Sequence, residues 1–115
     1  MTLPRYAALA AALLVSFATA AAQSAVGRFS QHADIGAPAI DGSTTYDTSL
    51  QQYRMSAGGI NLWGASDQFH FAWNTLQGDF IVRARIEFVG QGVDPHRKLG
   101  WMVRSTLDAD SAYAD

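Results

Sequence analysis

The side chains best suited to binding chemistry lie in and just before residues 67–90, DQFHFAWNTLQGDFIVRARIEFVG. His70, Arg83 and Arg85 alternate there with aromatic and aliphatic residues. Imidazole and guanidinium groups donate hydrogen bonds, so these three could bind sugar hydroxyls or carboxylates, while the indole of Trp63 stacks on a sugar ring. The same pattern fits the solvated face of an ordinary sheet, whose cross-strand pairs contribute about 0.2–1 kcal/mol each. The residue types leave both interpretations open.

A second group of charged side chains lies between residues 94 and 104. Arg104 shares the face of a predicted strand with Gly100 and Met102. It is expected either to contact a ligand or, as we favour, to pair with a carboxylate on a neighbouring strand. The loop before this strand could recognise an anion, although we favour a polar connector; its charged residues are Asp94, His96, Arg97 and Lys98.

No familiar metal-binding or catalytic motif is present. The three histidines lack the short spacing that zinc sites use. Asp108 and Asp110 could offer oxygens to calcium, but the glycine and closing glutamate of an EF-hand loop are absent. There is no cysteine and no G-x-S-x-G element to supply an activated nucleophile. We therefore predict no enzymatic activity and no cofactor, with calcium as the one minor alternative.

The first 22 residues are typical of a secretory signal peptide. A short basic start is followed by an uncharged apolar run over residues 6–18 and by small residues at the cleavage spacing. That run is shorter than the roughly 20 apolar residues that span a bilayer. The sequence thus predicts a helical signal peptide at 1–22 and a module at 23–115 that is periplasmic or secreted, with no membrane span after cleavage.

The charge balance argues against nucleic acid as a partner. Eight basic residues are scattered among ten acidic ones, for a net charge of −2. A protein that binds nucleic acid instead concentrates positive charge on one face. Because the exported chain has no cysteine, its stability must come from burial rather than from disulfides.

The elements that must position these side chains are short strands. Alternating apolar residues and frequent turn residues predict strands near 44–47, 52–57, 60–63, 68–74, 79–89 and 99–104, a turn at 108–111 and a further strand from 112, after an irregular arm through Gly36 and Pro38. A turn at Gln77-Gly78 would pair 68–74 with 79–89 as a hairpin. His70 would then face Arg85 on the wet side, and the other side would be core: Phe69, Phe71, Trp73, Phe80, Val82, Ile86 and Phe88.

Three groups of residues resemble a known family of exported bacterial proteins. They are Trp63 with Asp67-x-Phe69-x-Phe71, then Gly78-Asp79-Phe80, then Lys98-x-Gly100-x-Met102-x-Arg104. Together they are similar to the N-terminal module of TolB-like, or biopolymer-transporter-like, proteins. The resemblance implies a concanavalin A-like, laminin-G-like jelly roll, often followed by a β-propeller. Such modules are longer than this chain, so it also implies that the later strands of the sandwich are missing.

Taken together, the sequence predicts an all-β, antiparallel β-sandwich that is incomplete. Glycan-hydrolysing proteins of the same broad fold use paired carboxylates, whereas Glu87 is the only glutamate here. We therefore expect a non-catalytic module that binds a glycan or an envelope protein. The alternatives are a fragment of a glycan-active enzyme and a structural spacer for a missing propeller. The candidate ligand-binding residues are Trp63, His70, Arg83, Arg85 and Arg104.

Overall fold

The computed structural model describes residues 25–115, and the predicted signal peptide at 1–22 lies outside them. The described residues contain no helix, and so none that is long and apolar enough to cross a membrane. Their strands are β1 (Gln31–Ile35), β2 (Ser43–Asp47), β3 (Gln52–Ser56), β4 (Phe69–Trp73), β5 (Val103–Arg104) and β6 (Tyr113–Ala114). They form three two-stranded antiparallel sheets, β1–β4, β2–β3 and β5–β6. The predicted all-β class is confirmed.

The hairpin β2–β3 forms where the sequence predicts two strands. Its register places Tyr46 opposite Tyr53, with ring centroids 4.5 Å apart. The carboxylate of Asp47 accepts hydrogen bonds from the backbone N–H groups of Ser49 and Leu50, at 2.9 and 3.0 Å, and from the Ser49 hydroxyl at 2.6 Å. This is the local turn chemistry that aspartate favours, and it closes the hairpin without help from the rest of the chain.

Strand β4 forms as predicted but pairs with a different partner. It lies antiparallel to β1, with Phe69 opposite Ile35 and His70 opposite Asp34. The predicted pairing with residues 79–89, and with it the placement of His70 beside Arg85, is therefore wrong. The arm expected to be irregular instead supplies β1, whose His32 and Asp34 side chains both contact the buried ring of His70 on β4.

The three aromatic residues of β4 share one face, as predicted. Adjacent rings along the strand contact each other, with centroids 5.7 Å apart for both Phe69–Phe71 and Phe71–Trp73. Opposite them on β1 lie Ile35 and Ala33. Among the described residues, the buried apolar side chains are Ile35, at 3% exposed, and Pro38, so the apolar core is small.

Residues 79–89 do not form the predicted strand. No backbone–backbone hydrogen bond involves residues 80–89 in the described part of the chain. The residues expected in the core are 44–48% exposed, so that prediction is wrong for Phe80, Val82, Ile86 and Phe88. Their neighbours Ile81 and Val89 are more exposed, at 82% and 72%. This alternation shows that the segment runs extended, with one side turned toward the rest of the molecule.

That half-covered side borders an open hollow of about 2700 Å³. The facing side chains include Phe71, Trp101 and Leu99. The strand predicted at 99–104 is regular only at β5, and the one predicted at 60–63 is reduced to a single bridge between Ile60 and Gln68. The turn predicted at 108–111 is confirmed, since the Ser111 N–H donates to the Asp108 carbonyl at 3.0 Å, and β6 follows it.

Candidate functional site

The most closely connected polar group lies where β1, β2 and β4 meet, and we call it the His70 cluster: His32, Asp34, Thr44 and His70. The ring of His70 is completely buried. Its Nδ1 lies 2.8 Å from Asp34 Oδ1, and its Nε2 lies 3.0 Å from Thr44 Oγ1 and 3.2 Å from His32 Nδ1. His70 was predicted on the solvent face, so its position is corrected to a buried one.

The Asp34 carboxylate fixes the direction of one of these contacts. Because a carboxylate can only accept, Nδ1 of His70 donates its proton to Asp34. At the other ring nitrogen, Nε2, the Thr44 hydroxyl and His32 Nδ1 both lie within hydrogen-bond distance. The second function of Asp34 is to accept the Gly42 N–H, whose nitrogen lies 2.9 and 3.1 Å from the two carboxylate oxygens.

Gly42 is required at this position for lack of space. A Cβ built there would lie 2.5 Å from the ring of His70, which real Cβ atoms do not tolerate. The close approach lets the backbone at the start of β2 reach Asp34 on β1. Buried polar groups are stabilising only when fully hydrogen-bonded, and this cluster leaves no buried side-chain nitrogen or oxygen of the described residues without a partner.

The order Asp34–His70–Thr44 has the same residue roles as an acid–base–nucleophile triad. However, Thr44 and His70 are both buried, so a substrate has no access to the hydroxyl. Within residues 25–115, no group of three or more histidine, cysteine, aspartate or glutamate residues is arranged so that it could hold a metal ion. The geometry therefore supports a structural role for the His70 cluster, whose hydrogen bonds join β2 to the β1–β4 sheet.

Arg104 forms the second buried polar contact. Its Nη1 donates to Asp67 Oδ2 at 2.7 Å, with both side chains buried, and its Nη2 donates to the Asp108 carbonyl at 2.7 Å. The favoured prediction of an ion pair with a carboxylate is confirmed. Asp67 also donates its backbone N–H to Ala109 at 2.8 Å, so the pair ties the residues just before β4 to the turn between β5 and β6.

Asp67 leaves no room for a side chain at Gly36. That glycine has a φ of +69°, and a Cβ there would lie 1.8 Å from the Asp67 carbonyl oxygen. The left-handed conformation and the contact each favour glycine. The turn after β1 is thus shaped to let the Asp67–Arg104 pair approach.

The structure does not bring the five predicted ligand-binding residues together. His70 and Arg104 are used in buried contacts. Arg83 and Arg85 lie exposed on the outer side of the extended segment, and Trp63 is 83% exposed in a separate turn. Their role in ligand binding stays a prediction.

Two hydrogen bonds hold the residues just before Trp63 in its turn. Lys98 Nζ donates to the Asn61 side-chain oxygen, and the Tyr113 hydroxyl donates to the Leu62 carbonyl at 3.0 Å. The indole itself stays in solvent. The sequence identified Trp63 but offered no sign that Lys98 and Tyr113 fix its turn, because both lie far along the chain.

The charged loop at 94–98 is largely satisfied by its own contacts. Asp94 accepts the backbone N–H of His96 at 2.7 Å. Arg97 donates to the Gly90 carbonyl at 2.6 Å and lies over the ring of Phe88, with its guanidinium carbon 4.5 Å from the centroid. These contacts support the favoured interpretation of a polar connector.

The apolar side of the extended segment at residues 80–89 is left partly exposed to solvent. We call it the open face: Phe80, Val82, Ile86 and Phe88, continued across the hollow by Leu99 and Trp101. It combines apolar side chains that are only half covered with neighbouring backbone that pairs with no strand of residues 25–115. Sequence reasoning identified these residues as apolar but assigned them to a closed core. It missed His32, Asp34 and Thr44, although the alternate spacing of His32 and Asp34 was a usable strand signal.

Comparison of the chain with protein-family models, with curated proteins and with solved structures finds no match.

Proposed function

We propose that this chain is a non-catalytic, exported binding module whose ligand is an extended polypeptide held along the open face. One observation carries the proposal. Residues 80–89 make no backbone–backbone hydrogen bond with the rest of the described chain, and they carry a period-two row of half-exposed apolar side chains. An added strand would form main-chain hydrogen bonds with this backbone, and its own alternate side chains would pack against the apolar row. This mode of binding is called β-augmentation.

The same feature is what an incomplete β-sandwich presents. In a sandwich, two sheets bury facing side chains between them at about 10 Å separation. The hollow and the open face correspond to a first layer without its second. Resemblance to the TolB-like sandwich module supports this fold, and the signal-like residues 1–22 support a location in the cell envelope. The partner would then be a protein of that compartment.

The absence of a role in catalysis is supported by where the reactive groups lie. The imidazole of His70 and the hydroxyl of Thr44 are both buried and engaged with each other. Glu87, the sole glutamate, lies on the extended segment beside Arg85. Neither the His70–Thr44 contact nor Glu87 with Arg85 offers an accessible acid–base pair.

Selection from a displayed peptide library tests the proposal. We expect the selected peptides to alternate apolar and polar residues, and to slow amide exchange in residues 80–89 when bound. Val82→Asp should abolish binding, whereas Ile81→Asp, a matched change on the outer side, should preserve it. Peptides that bind both variants equally, or that leave exchange unchanged, would contradict the proposal.

A glycan is the second candidate ligand, favoured by Trp63. Its indole is exposed on a turn whose residues Asn61 and Leu62 are bonded to Lys98 and Tyr113, and an exposed aromatic ring suits stacking on a sugar. A glycan array should show binding that Trp63→Ala removes and Ile81→Ala does not. No binding on the array, or binding indifferent to Trp63, would leave the polypeptide as the candidate.

A further inference from the structure

We propose that the polypeptide held on the open face is a second copy of this chain, paired through residues 83–89. The inference rests on the proposed function and names its partner. The two segments would run antiparallel about a twofold axis at Ile86, forming the self-complementary kind of interface found in most homodimers.

The period of the segment limits the registers that are allowed. Directly opposed residues of an antiparallel pair lie on the same face, so the apolar row must oppose the apolar row and the charged row must oppose the charged row. The outer row carries Arg83, Arg85 and Glu87 between Ile81 and Val89. Its charges therefore decide among the permitted registers.

A twofold axis at Ile86 is the register these charges favour. Arg85 of each copy then faces Glu87 of the other, which makes two opposite-charge pairs, and Arg83 faces Val89. On the inner side Ala84 faces Phe88, a small residue against a large one. Opposite-charge pairs directly across two strands stabilise the sheet, and like charges destabilise it.

Neighbouring registers place like charges together. An axis at Ala84 opposes Arg83 to Arg85 twice, and an axis at Arg85 opposes that residue to itself, which offsets its two Arg83–Glu87 pairs. An axis at Val82 pairs Asp79 with Arg85, but Gly78, with a φ of +76°, ends the extended segment immediately before Asp79. That register leaves Ile86 and Phe88 uncovered, whereas the Ile86 register pairs residues 83–89, which lie before Gly90 and its φ of +67°, and covers both.

Because the chain has no cysteine, introduced cysteines test the register directly. Opposed Cα atoms are about 4.5–5.5 Å apart, within the range that a disulfide spans. Ile86→Cys should therefore cross-link to itself on mild oxidation of the full chain. Ala84→Cys and Phe88→Cys should each fail to self-link, because like positions lie about 13 Å apart at the strand rise, but a mixture of the two should link. Efficient self-linking at 84 or 88, or none at 86, would overturn the register.

Charge exchange tests the pairing without cysteine. In sedimentation equilibrium, Arg85→Glu and Glu87→Arg should each weaken self-association by about tenfold, since each opposes like charges twice. An equal mixture of these two variants should restore it, because every pair is again of opposite sign. Arg83→Glu is the matched control and should change little. A loss for Arg83→Glu equal to that for Arg85→Glu, or a mixture that stays dissociated, would overturn the proposal.

The outcomes separate the two proposals. A chain that is monomeric at all concentrations but still binds selected peptides in a Val82-dependent way refutes the second copy and leaves the binding module standing. A chain that neither self-associates nor binds such peptides refutes both. Association that Val82→Asp abolishes and Ile81→Asp preserves supports both.

Discussion

Asp34 lies at the junction of three strands, and its carboxylate serves two of them. It accepts from the ring of His70 on β4 and from the Gly42 N–H at the start of β2. Just before the start of β4, Asp67 plays a similar part through Arg104. Both carboxylates hold groups that are far apart in sequence, so their removal affects the fold rather than a surface.

Asp34→Asn should lower the free energy of unfolding by about 1–3 kcal/mol, the cost of leaving a buried polar group unsatisfied. The amide can accept from His70 or from Gly42 through one oxygen, but its NH2 group then faces a donor. Urea denaturation measures the change. Asp41→Asn, an exposed aspartate nearby, is the control and should be close to wild type. Equal losses in the two variants would show that the cluster adds nothing to stability.

Arg104→Met should be more costly, about 3–5 kcal/mol, because it leaves the buried carboxylate of Asp67 without its partner. Adding Asp67→Leu should recover part of that loss, since both charges are then gone. Thermal denaturation of the single and double variants measures this, with exposed Arg54→Met as the control. A double variant less stable than Arg104→Met would contradict the ion-pair account.

At the level of elements, the hairpin β2–β3 contains most of what it needs within itself. The Ser49 hydroxyl, followed by the backbone N–H groups of Leu50 and Ser49, holds the pKa of Asp47 below its usual value of 3.8. The ionised carboxylate therefore stabilises the turn. That contribution is complete above pH 3.8 and is lost as the pH falls through the lowered pKa.

Asp47→Asn should consequently be less stable than wild type above pH 3.8, and the difference should shrink as the pH falls below that value. The amide keeps an acceptor oxygen, so the comparison isolates the charge. Denaturation at a series of pH values and NMR titration of the Asp47 carboxyl measure the two sides of the linkage. The pH dependence should persist in dilute salt. Ser49→Ala should make it smaller, because the Ser49 hydroxyl is the largest cause of the lowered pKa of Asp47. A difference independent of pH would contradict it.

At the scale of the whole molecule, buried contacts are unevenly distributed. Strands β1, β2 and β4 share the His70 cluster, whereas residues 80–89 have no backbone–backbone partner in the described part of the chain. Regions with few buried contacts and exposed backbone open at low free-energy cost. The molecule thus pairs an ordered group of strands with an extended segment that lacks a partner.

Amide hydrogen exchange on the dilute chain should show this division. We expect residues 31–35 and 69–73 to be protected, and residues 80–89 to exchange at rates close to those of an unfolded peptide. At concentrations where two copies associate, the second segment should become protected. Protection of 80–89 at every dilution would mean that the segment has a partner within its own chain.

How much the sequence could predict depended on the distance between partners. The hairpin β2–β3 was predicted because its strands are adjacent and its turn residues act locally. The pairing of β4 was wrong because its true partner, β1, lies 36 residues earlier at the His70–Asp34 contact, while a nearer alternating segment fitted the same pattern. Phe80 and Ile86 were assigned to a core because alternation identifies an apolar face, not what covers it.

The residue pattern alone predicts the all-β class, the positions of β2, β3 and β4 and the shared face of the β4 aromatics, and it favours an ion pair over a ligand contact for Arg104. The strand predictions follow from period-two alternation and turn chemistry. Only the tertiary structure decided that His70 is buried, that β1 is the partner of β4 and that the face of Phe80 and Ile86 is left open. Those outcomes depend on which polar groups, distant in sequence, form hydrogen bonds with one another. The alternation of apolar residues along the chain does not specify those partners.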